Sequence, residues 1–306
     1  MRRVSTIGKF LSKINLNGSW RADEPLARHT TFRIGGPADA MVFPAGSGDV
    51  KAVQALCLKE QIPLYVLGRG ANILVSDRGI RGITLNLTSL SSFRHENGVL
   101  TAQAGLDVSA AAEAGRGGGF SCLEFLNGMP STVGGAVYMN ARCYGAEIAD
   151  VFLDAIVVED AVERVVPFRR EQWDYKVSPF QNQKGIIVSA RFRTKPAAAD
   201  EVEAVMTANK ADREAKGHFR LPCAGSIFKN NHAFGAPSGV LIDRAGLKGL
   251  RRGAAAVSAW HGNIIVNEGG ATAADLRALI SDVKERVARA TGFTLEEEVI
   301  YAGDWR

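Results

Sequence analysis

The clearest periodicity lies near the C-terminus. Leu276, Leu279, Ile280, Val283 and Val287 recur at helical spacing and predict an amphipathic helix. Thr272 with Asp275 three positions on forms a capping-box start, and Gly292 marks the end. Val202, Val205, Met206 and Asn209 predict another helix over residues 200–216. Ser47 is the expected N-cap of a helix that puts Val50, Val53 and Cys57 on one face. Val108, Ala111 and Ala112 suit a helix that stops at Gly115, before the run Gly117-Gly118-Gly119. Short apolar runs predict strands at residues 40–43, 63–67, 73–75 and 83–87, which together read as a small α/β layer. Further strands are expected at 155–159, 165–168, 185–193 and 295–301, with Lys195-Pro196 and the alanines after it as a linker. The pattern is α/β or α+β in three parts, divided as 1–92, 93–196 and 197–306.

Composition narrows the function. The 306 residues carry 37 basic and 32 acidic side chains, and the basic ones are scattered apart from pairs such as Arg2-Arg3, Arg169-Arg170 and Arg251-Arg252. Nucleic-acid binding is not expected of that distribution, whereas a modest basic excess suits a small anionic ligand. Cys57, Cys122, Cys143 and Cys223 are widely spaced and indicate neither a metal site nor a disulfide framework. Lys9, Lys13, Asn15 and Asn17 interrupt the N-terminal stretch, and no apolar run is long enough to span a bilayer. A cytoplasmic protein without membrane insertion is expected.

Two glycine-rich segments suggest a cofactor. Leu67-Gly68-Arg69-Gly70-Ala71-Asn72 follows a strand, as a phosphate-holding turn does, but the chain re-enters a strand instead of a helix. A nicotinamide-binding Rossmann site is therefore disfavoured, and an ordinary glycine turn stays open. The stretch from Glu124 to Ala141, with Gly128, Gly134 and Gly135 beside Asn and Thr, is more unusual. Small residues in that density suit a surface lying against a planar ring.

With Thr31-Phe32-Arg33-Ile34-Gly35-Gly36-Pro37-Ala38-Asp39 before them, and Ala224-Gly225-Ser226-Ile227-Phe228-Lys229-Asn230, Leu241-Ile242-Asp243-Arg244-Ala245-Gly246-Leu247-Lys248-Gly249 and Leu295-Glu296-Glu297-Glu298-Val299 after them, these segments resemble the UDP-N-acetylenolpyruvoylglucosamine reductases. The chain is similar to their shorter, type II branch. The resemblance implies an α+β chain with a two-domain vanillyl-alcohol-oxidase (PCMH)-type FAD-binding fold and a C-terminal α/β substrate-binding domain. It implies non-covalent FAD, reduced by NADPH, and a UDP-sugar substrate converted to UDP-N-acetylmuramate for peptidoglycan. A monomer is expected. Carried onto this chain, Arg33, Gly35, Gly68, Arg69, Gly70, Ala71 and Asn72 would meet the cofactor. So would Gly128, Thr132, Gly134, Gly135, Asn140, Ala141 and Gly145, with residues 68–72 as the pyrophosphate turn and 128–141 as the wall beside the flavin.

Ser226 falls at the proton-donor position, against the plainer reading of a turn serine after Gly225. Glu298 matches an acid that polarises the enolpyruvyl carboxylate, against a solvated strand end; in a strand it would share a face with Glu296. Lys176 stands where the family usually carries arginine, keeping the charge but not the planar fork. Asn230, Lys248 and Asn263 are candidate substrate contacts, while His261 is assigned no role. Ser131, Arg142-Cys143 and the stretch 212–219 depart from the family pattern. A flavin-binding relative without this activity, or an FAD oxidase of the same fold with another substrate, are the rival readings.

Overall fold

The computed structural model describes residues 2–306, with side chains from residue 6 onward, so the Arg2-Arg3 pair lies outside the described side chains. The chain forms two compact units that alternate along the sequence. The first takes residues up to Ala22, 39–69 and 82–212; the second takes 23–38, 70–81 and 213–306.

Two larger sheets and two small two-stranded pairings form the first unit. In one larger sheet, the strands Ser19–Pro25, Pro37–Phe43, Ile80–Asn86 and Leu64–Leu67 lie in that order. The helix Ser47–Glu60 buries Val50, Val53 and Cys57 as expected, but Gly46 is its N-cap and Ser47 its first residue. Asp49, in the first turn, ties the helix to the chain segments beside it. Its carboxylate accepts from the backbone N–H of Asn17 at 3.0 Å, Gly18 at 2.8 Å and Ala45 at 2.8 Å, and only 2% of the residue is exposed.

The other larger sheet runs Val162–Pro167, Phe152–Glu159, Ile186–Arg193, Val99–Gln103 and Phe93–Glu96, antiparallel throughout. Its inward faces bury Ala155, Val157, Ala190 and Phe192, and the edge strand leaves Val162 and Val165 in solvent. Packed on it, the helix Val108–Gly118 is capped by Asp107, whose carboxylate accepts from Ser109 N–H and Ala110 N–H. It runs past Gly115, where a stop was expected. A Cβ there would lie 2.6 Å from the Phe120 carbonyl, so glycine serves helix packing, and the left-handed Gly119 ends the helix. Lys195–Pro196 is no linker: it pairs antiparallel with Phe120–Ser121. In the helix Ala199–Ala215, Val202, Met206 and Asn209 are buried but Val205 faces solvent.

The second unit wraps the helix Ala273–Thr291 with a four-stranded sheet ordered Cys223–Ser226, Ile264–Asn267, Ala255–Val257 and Arg251–Arg252. Leu276, Leu279, Ile280, Val283 and Val287 all lie in its core, with Phe32, Ile34 and Leu74. The capping box of Thr272 and Asp275 is formed, and Asp77 accepts from the next two amides, Ala273 at 2.8 Å and Ala274 at 3.0 Å. Ile73–Val75 belongs here, not to the first α/β layer, because it pairs in parallel with Ile300–Ala302. The expected strand over 295–301 is therefore confined to its last residues. Before it the backbone bonds irregularly, through Lys229 N–H to the Glu296 carbonyl and Glu298 N–H to the Ile227 carbonyl. Among the described residues no helix is long and apolar enough to cross a membrane.

Replacing Asp49 with alanine would leave three amides without their acceptor, at a cost on the order of 3 kcal/mol. Thermal unfolding is expected to show a large fall in Tm for Asp49→Ala and a smaller one for Asp49→Asn. Equal Tm values for all three proteins would contradict the anchoring role.

Candidate cofactor and active sites

The two glycine-rich segments do different things. Thr132 is the N-cap of the short helix Val133–Tyr138, its hydroxyl accepting from Gly135 N–H at 3.2 Å. A Cβ on Gly68 would come within 2.6 Å of that hydroxyl oxygen, so a bare backbone is what lets the two segments meet. Gly134 answers a different neighbour: its N–H donates to the Ala104 carbonyl at 2.8 Å, and a Cβ would lie 2.8 Å from that of Ala104. Because the N–H groups of Val133, Gly134 and Gly135 are all used inside the protein, this helix start is no anion site. Gly128 adopts φ +79° and donates to the Ser109 hydroxyl at 2.9 Å.

Asn140, fully buried at φ +42°, donates to the Asp174 carbonyl at 2.9 Å and accepts from Ala149 N–H at 3.0 Å, so its side-chain amide holds the protein's own turns. The backbone of Ala141 is likewise bonded to Ala136 and Ile148. Gly145 is the second residue of a hairpin turn between Arg142–Cys143 and Ala146–Glu147, where Tyr144 and Gly145 both have φ above zero. Arg69 is exposed and ion-paired with Asp107, the N-cap of the helix Val108–Gly118.

The turn 68–72 passes from one unit to the other between Arg69 and Gly70. Here the donor set fits a pyrophosphate: among the described residues the backbone N–H groups of Arg69, Gly70 and Ala71 donate to nothing in the protein. In the second unit Gly70, at φ +60°, passes against His29 and Thr30, and its carbonyl accepts from Thr31 N–H at 3.2 Å. Arg33 stands exposed in a left-handed conformation, and Gly35 packs its Cα face against Val75 and Leu26. Asn72 turns its side chain inward to donate to the Glu298 carbonyl at 3.0 Å.

Ser226 ends the strand Cys223–Ser226, just after a break in its register against Ile264–Asn267. Gly225 carries that bulge at φ +72°. The Ser226 side chain is half-buried and makes no hydrogen bond among the described residues. Asn263 locks the chain beyond it: its amide accepts from Phe228 N–H at 2.9 Å and donates to the Phe228 carbonyl at 2.8 Å. Asn263, expected as a substrate contact, thus spends its side-chain amide on backbone. Glu296 pairs with Lys229 and Glu297 with Lys284, each at 2.6 Å, while Glu298 is half-buried. The expected strand alternation of these glutamates is replaced by an irregular segment. Asn230 is exposed and accepts from Ser238 N–H at 3.0 Å; Lys248 is partly exposed and pairs with Asp243 at 2.6 Å. In the first unit Lys176 sits at φ +60° in the turn Asp174 to Val177, whose ends exchange backbone bonds, and its carbonyl accepts from the Gln181 amide.

Two features escaped sequence reading. Asp107 reads only as a polar residue before a helix. His261 is the second. Its Nδ1 accepts from Asn263 N–H at 3.1 Å, and burial, then Lys216 and more weakly Lys248, push its pKa below the ordinary value. Burial also pushes the Cys57 thiol up to about 12 and raises those of Cys122 and Cys223, which leaves these three inert.

Comparison with known proteins agrees with this division of labour. The profile of an FAD-binding domain matches residues 38–166. The xylooligosaccharide oxidase from Myceliophthora thermophila C1, 16% identical, aligns over 62% of this chain and 43% of its own with a TM-score of 0.50, a likeness of fold alone. The protein is thus an FAD-binding oxidoreductase of mixed α and β structure, with a vanillyl-alcohol-oxidase-type cofactor fold. The profile of the UDP-N-acetylenolpyruvoylglucosamine reductase C-terminal domain matches residues 217–302. A reductase of that name from Treponema denticola is 42% identical over 92% of this chain and 93% of its own. The crystal structure of the corresponding enzyme from Thermus caldophilus covers 94% of this chain and 100% of its own, at 30% identity and a TM-score of 0.79. The chain belongs to the UDP-N-acetylenolpyruvoylglucosamine reductase family.

Neutral His261 can accept the Asn263 N–H; the protonated ring cannot. Its lowered pKa means that the unfolded chain takes up the proton first, so stability present above about pH 6.5 is lost as pH falls towards the folded-state value. We expect Tm to drop between pH 7.5 and 5 by less in His261→Gln than in the parent (both pH limits are roughly one to one-and-a-half units around the free imidazole). Parallel Tm curves for the two proteins would exclude His261 as a source of that loss.

Proposed function

We propose that the chain reduces the enolpyruvyl ether of UDP-N-acetylglucosamine to UDP-N-acetylmuramate, with NADPH as reductant, in cytoplasmic peptidoglycan synthesis. Family membership along the whole chain supports the substrate class. The observation that carries the chemistry is Ser226, half-buried on the Gly225 bulge with a hydroxyl that nothing among the described residues engages.

Bound FAD supplies the hydride. Its pyrophosphate would lie on the N–H groups of Arg69, Gly70 and Ala71, and the segment from Gly128 to Gly135 would wall the ring. Hydride addition to the terminal vinyl carbon leaves negative charge on the carbon next to the carboxylate. Ser226 then donates its proton to that carbon, completing the saturated lactyl ether. Glu298, protonated, and Lys176 hold the substrate carboxylate and draw charge into it. Serine is a weak acid, so its step depends on a cationic environment that stabilises the alkoxide it becomes. Lys248 and Asn230 would hold polar groups of the nucleotide sugar, a role their exposure allows. In this reading residues 1–92 and 93–196 are the two FAD-binding subdomains, a division the two separate sheets support, and 197–306 the substrate domain. The protein would act as a monomer.

Stopped-flow spectroscopy separates the half-reactions. Ser226→Ala is expected to slow reoxidation of the reduced flavin by the UDP-enolpyruvyl sugar by about 10²–10⁴-fold, the usual weight of a positioned proton donor. Flavin reduction by NADPH protonates no carbon and should fall by much less. Equal losses in both half-reactions would remove Ser226 as the donor, and failure of the sugar to reoxidise the parent flavin would remove the substrate.

Lys176 keeps charge without a bidentate fork. Lys176→Ala is expected to lower kcat/KM for the sugar by about 10- to 100-fold, the scale of one charged hydrogen bond. Lys176→Arg should match or exceed the parent. Steady-state kinetics showing no loss in the alanine variant would exclude the role.

A further inference from the structure

Glu298 is fastened at both of its peptide groups, and neither fastening is a regular ladder. Its N–H donates to the Ile227 carbonyl at 2.7 Å, one residue beyond Ser226. Its carbonyl accepts from the side-chain amide of Asn72 at 3.0 Å. The next link returns to the same residue: Ile300 N–H donates to the Asn72 carbonyl at 3.0 Å, opening the parallel pairing of Ile73–Val75 with Ile300–Ala302. Asn72 thus brackets residues 298–300 with its side chain on one side and its backbone on the other. It does so from the end of the turn whose amides at Arg69, Gly70 and Ala71 donate to nothing among the described residues. On the far side, Ile227 is itself set by the Asn263 carbonyl, which accepts its N–H at 2.9 Å.

We propose that Asn72 is the positioning residue for Glu298, and that it transmits occupancy of the pyrophosphate turn to that acid. The inference rests on the function proposed above. A ligand drawing in the amides before Asn72 orders the backbone that carries Asn72, and the Asn72 amide then fixes the peptide from which the Glu298 side chain projects. The cofactor that supplies the hydride so also sets the acid that receives the resulting charge. Asn72 needs no contact with substrate to act in this way.

The geometry singles out one variant. Asn72→Asp keeps size and shape but replaces the donor facing the Glu298 carbonyl with an acceptor. Hydrogen exchange measured on apoprotein and holoprotein reports the coupling without turnover. In the parent, FAD should slow exchange at the Glu298 and Ile300 amides; in Asn72→Asp that gain should disappear at Glu298 even at saturating FAD. In turnover, Asn72→Asp should slow reoxidation by the sugar more than flavin reduction, by roughly tenfold or more, the scale of one misplaced charged contact. In a Glu298→Gln background the same substitution should add little. Circular dichroism and Tm establish folding, and Asn72→Ala, which removes the donor without adding charge, serves if Asn72→Asp does not fold.

FAD-dependent protection at Glu298 that survives loss of the donor overturns the proposal. So does a reoxidation defect that is just as large in the Glu298→Gln background. If Glu298→Gln alone turns over at the parent rate, the role of Glu298 as acid fails, and with it the function assigned to the site. An additive cycle on a slow Glu298→Gln enzyme removes the coupling alone.

Discussion

The side-chain amide of Asn263 does for Phe228 what a neighbouring strand would otherwise do, closing both the N–H and the carbonyl of one residue. The rest of the second unit's functional edge hangs on this clamp. Where the strand Cys223–Ser226 breaks register at its glycine bulge, ladder bonds can no longer hold the chain, and a buried amide takes over. With Phe228 held, Ile227 can offer its N–H to the Asn263 carbonyl and its own carbonyl to Glu298. The bulge frees the serine, and the clamp keeps the freed segment from wandering. His261, supporting Asn263 from behind, makes the arrangement sensitive to protonation at a position that touches no reacting group.

Much of the architecture was legible from residue pattern alone, and the reasons are local. The helix over Ala273–Thr291 combines an unbroken apolar stripe, a reciprocal cap and a terminal glycine, so every level of its sequence agrees. The helix at Val108–Gly118 was misjudged because Gly115 was taken as punctuation; it is there so that Phe120 can approach. Ile73–Val75 was recognisable as a strand, but its partner lies more than two hundred residues away and no short-range signal announces it. The three consecutive glutamates invited an alternating strand, and the chain there bonds irregularly to two different segments instead.

The candidate site was legible in position more than in role. Glycine density singled out both segments, but not that Gly68 answers Thr132 and Gly134 answers Ala104. Asparagine was the most misleading residue type. Asn140, Asn263 and the side chain of Asn72 all look like ligand contacts in sequence, and all three spend their amides on peptide groups of the chain. An amide matches an irregular backbone so well, having one donor end and one acceptor end, that polar residues near an active site are as readily scaffolding as chemistry. Four non-glycine residues in left-handed conformations, Arg33, Asn140, Tyr144 and Lys176, lie in these same segments, where backbone strain accompanies function more often than elsewhere.

The interleaving of the chain bears on how the protein is made. Phe32 and Leu74 are core residues of the second unit, and the Phe32 carbonyl accepts from Asn267 at 3.0 Å. On the ribosome these early segments emerge long before the helix and strands they must join, and they have no finished partner until the last turn of synthesis. Contacts so remote in sequence are slow to close. A nascent chain therefore carries Phe32, Ile34 and Leu74 uncovered while the first unit assembles around them in sequence. A fragment beginning near residue 213 would therefore lack part of its own core.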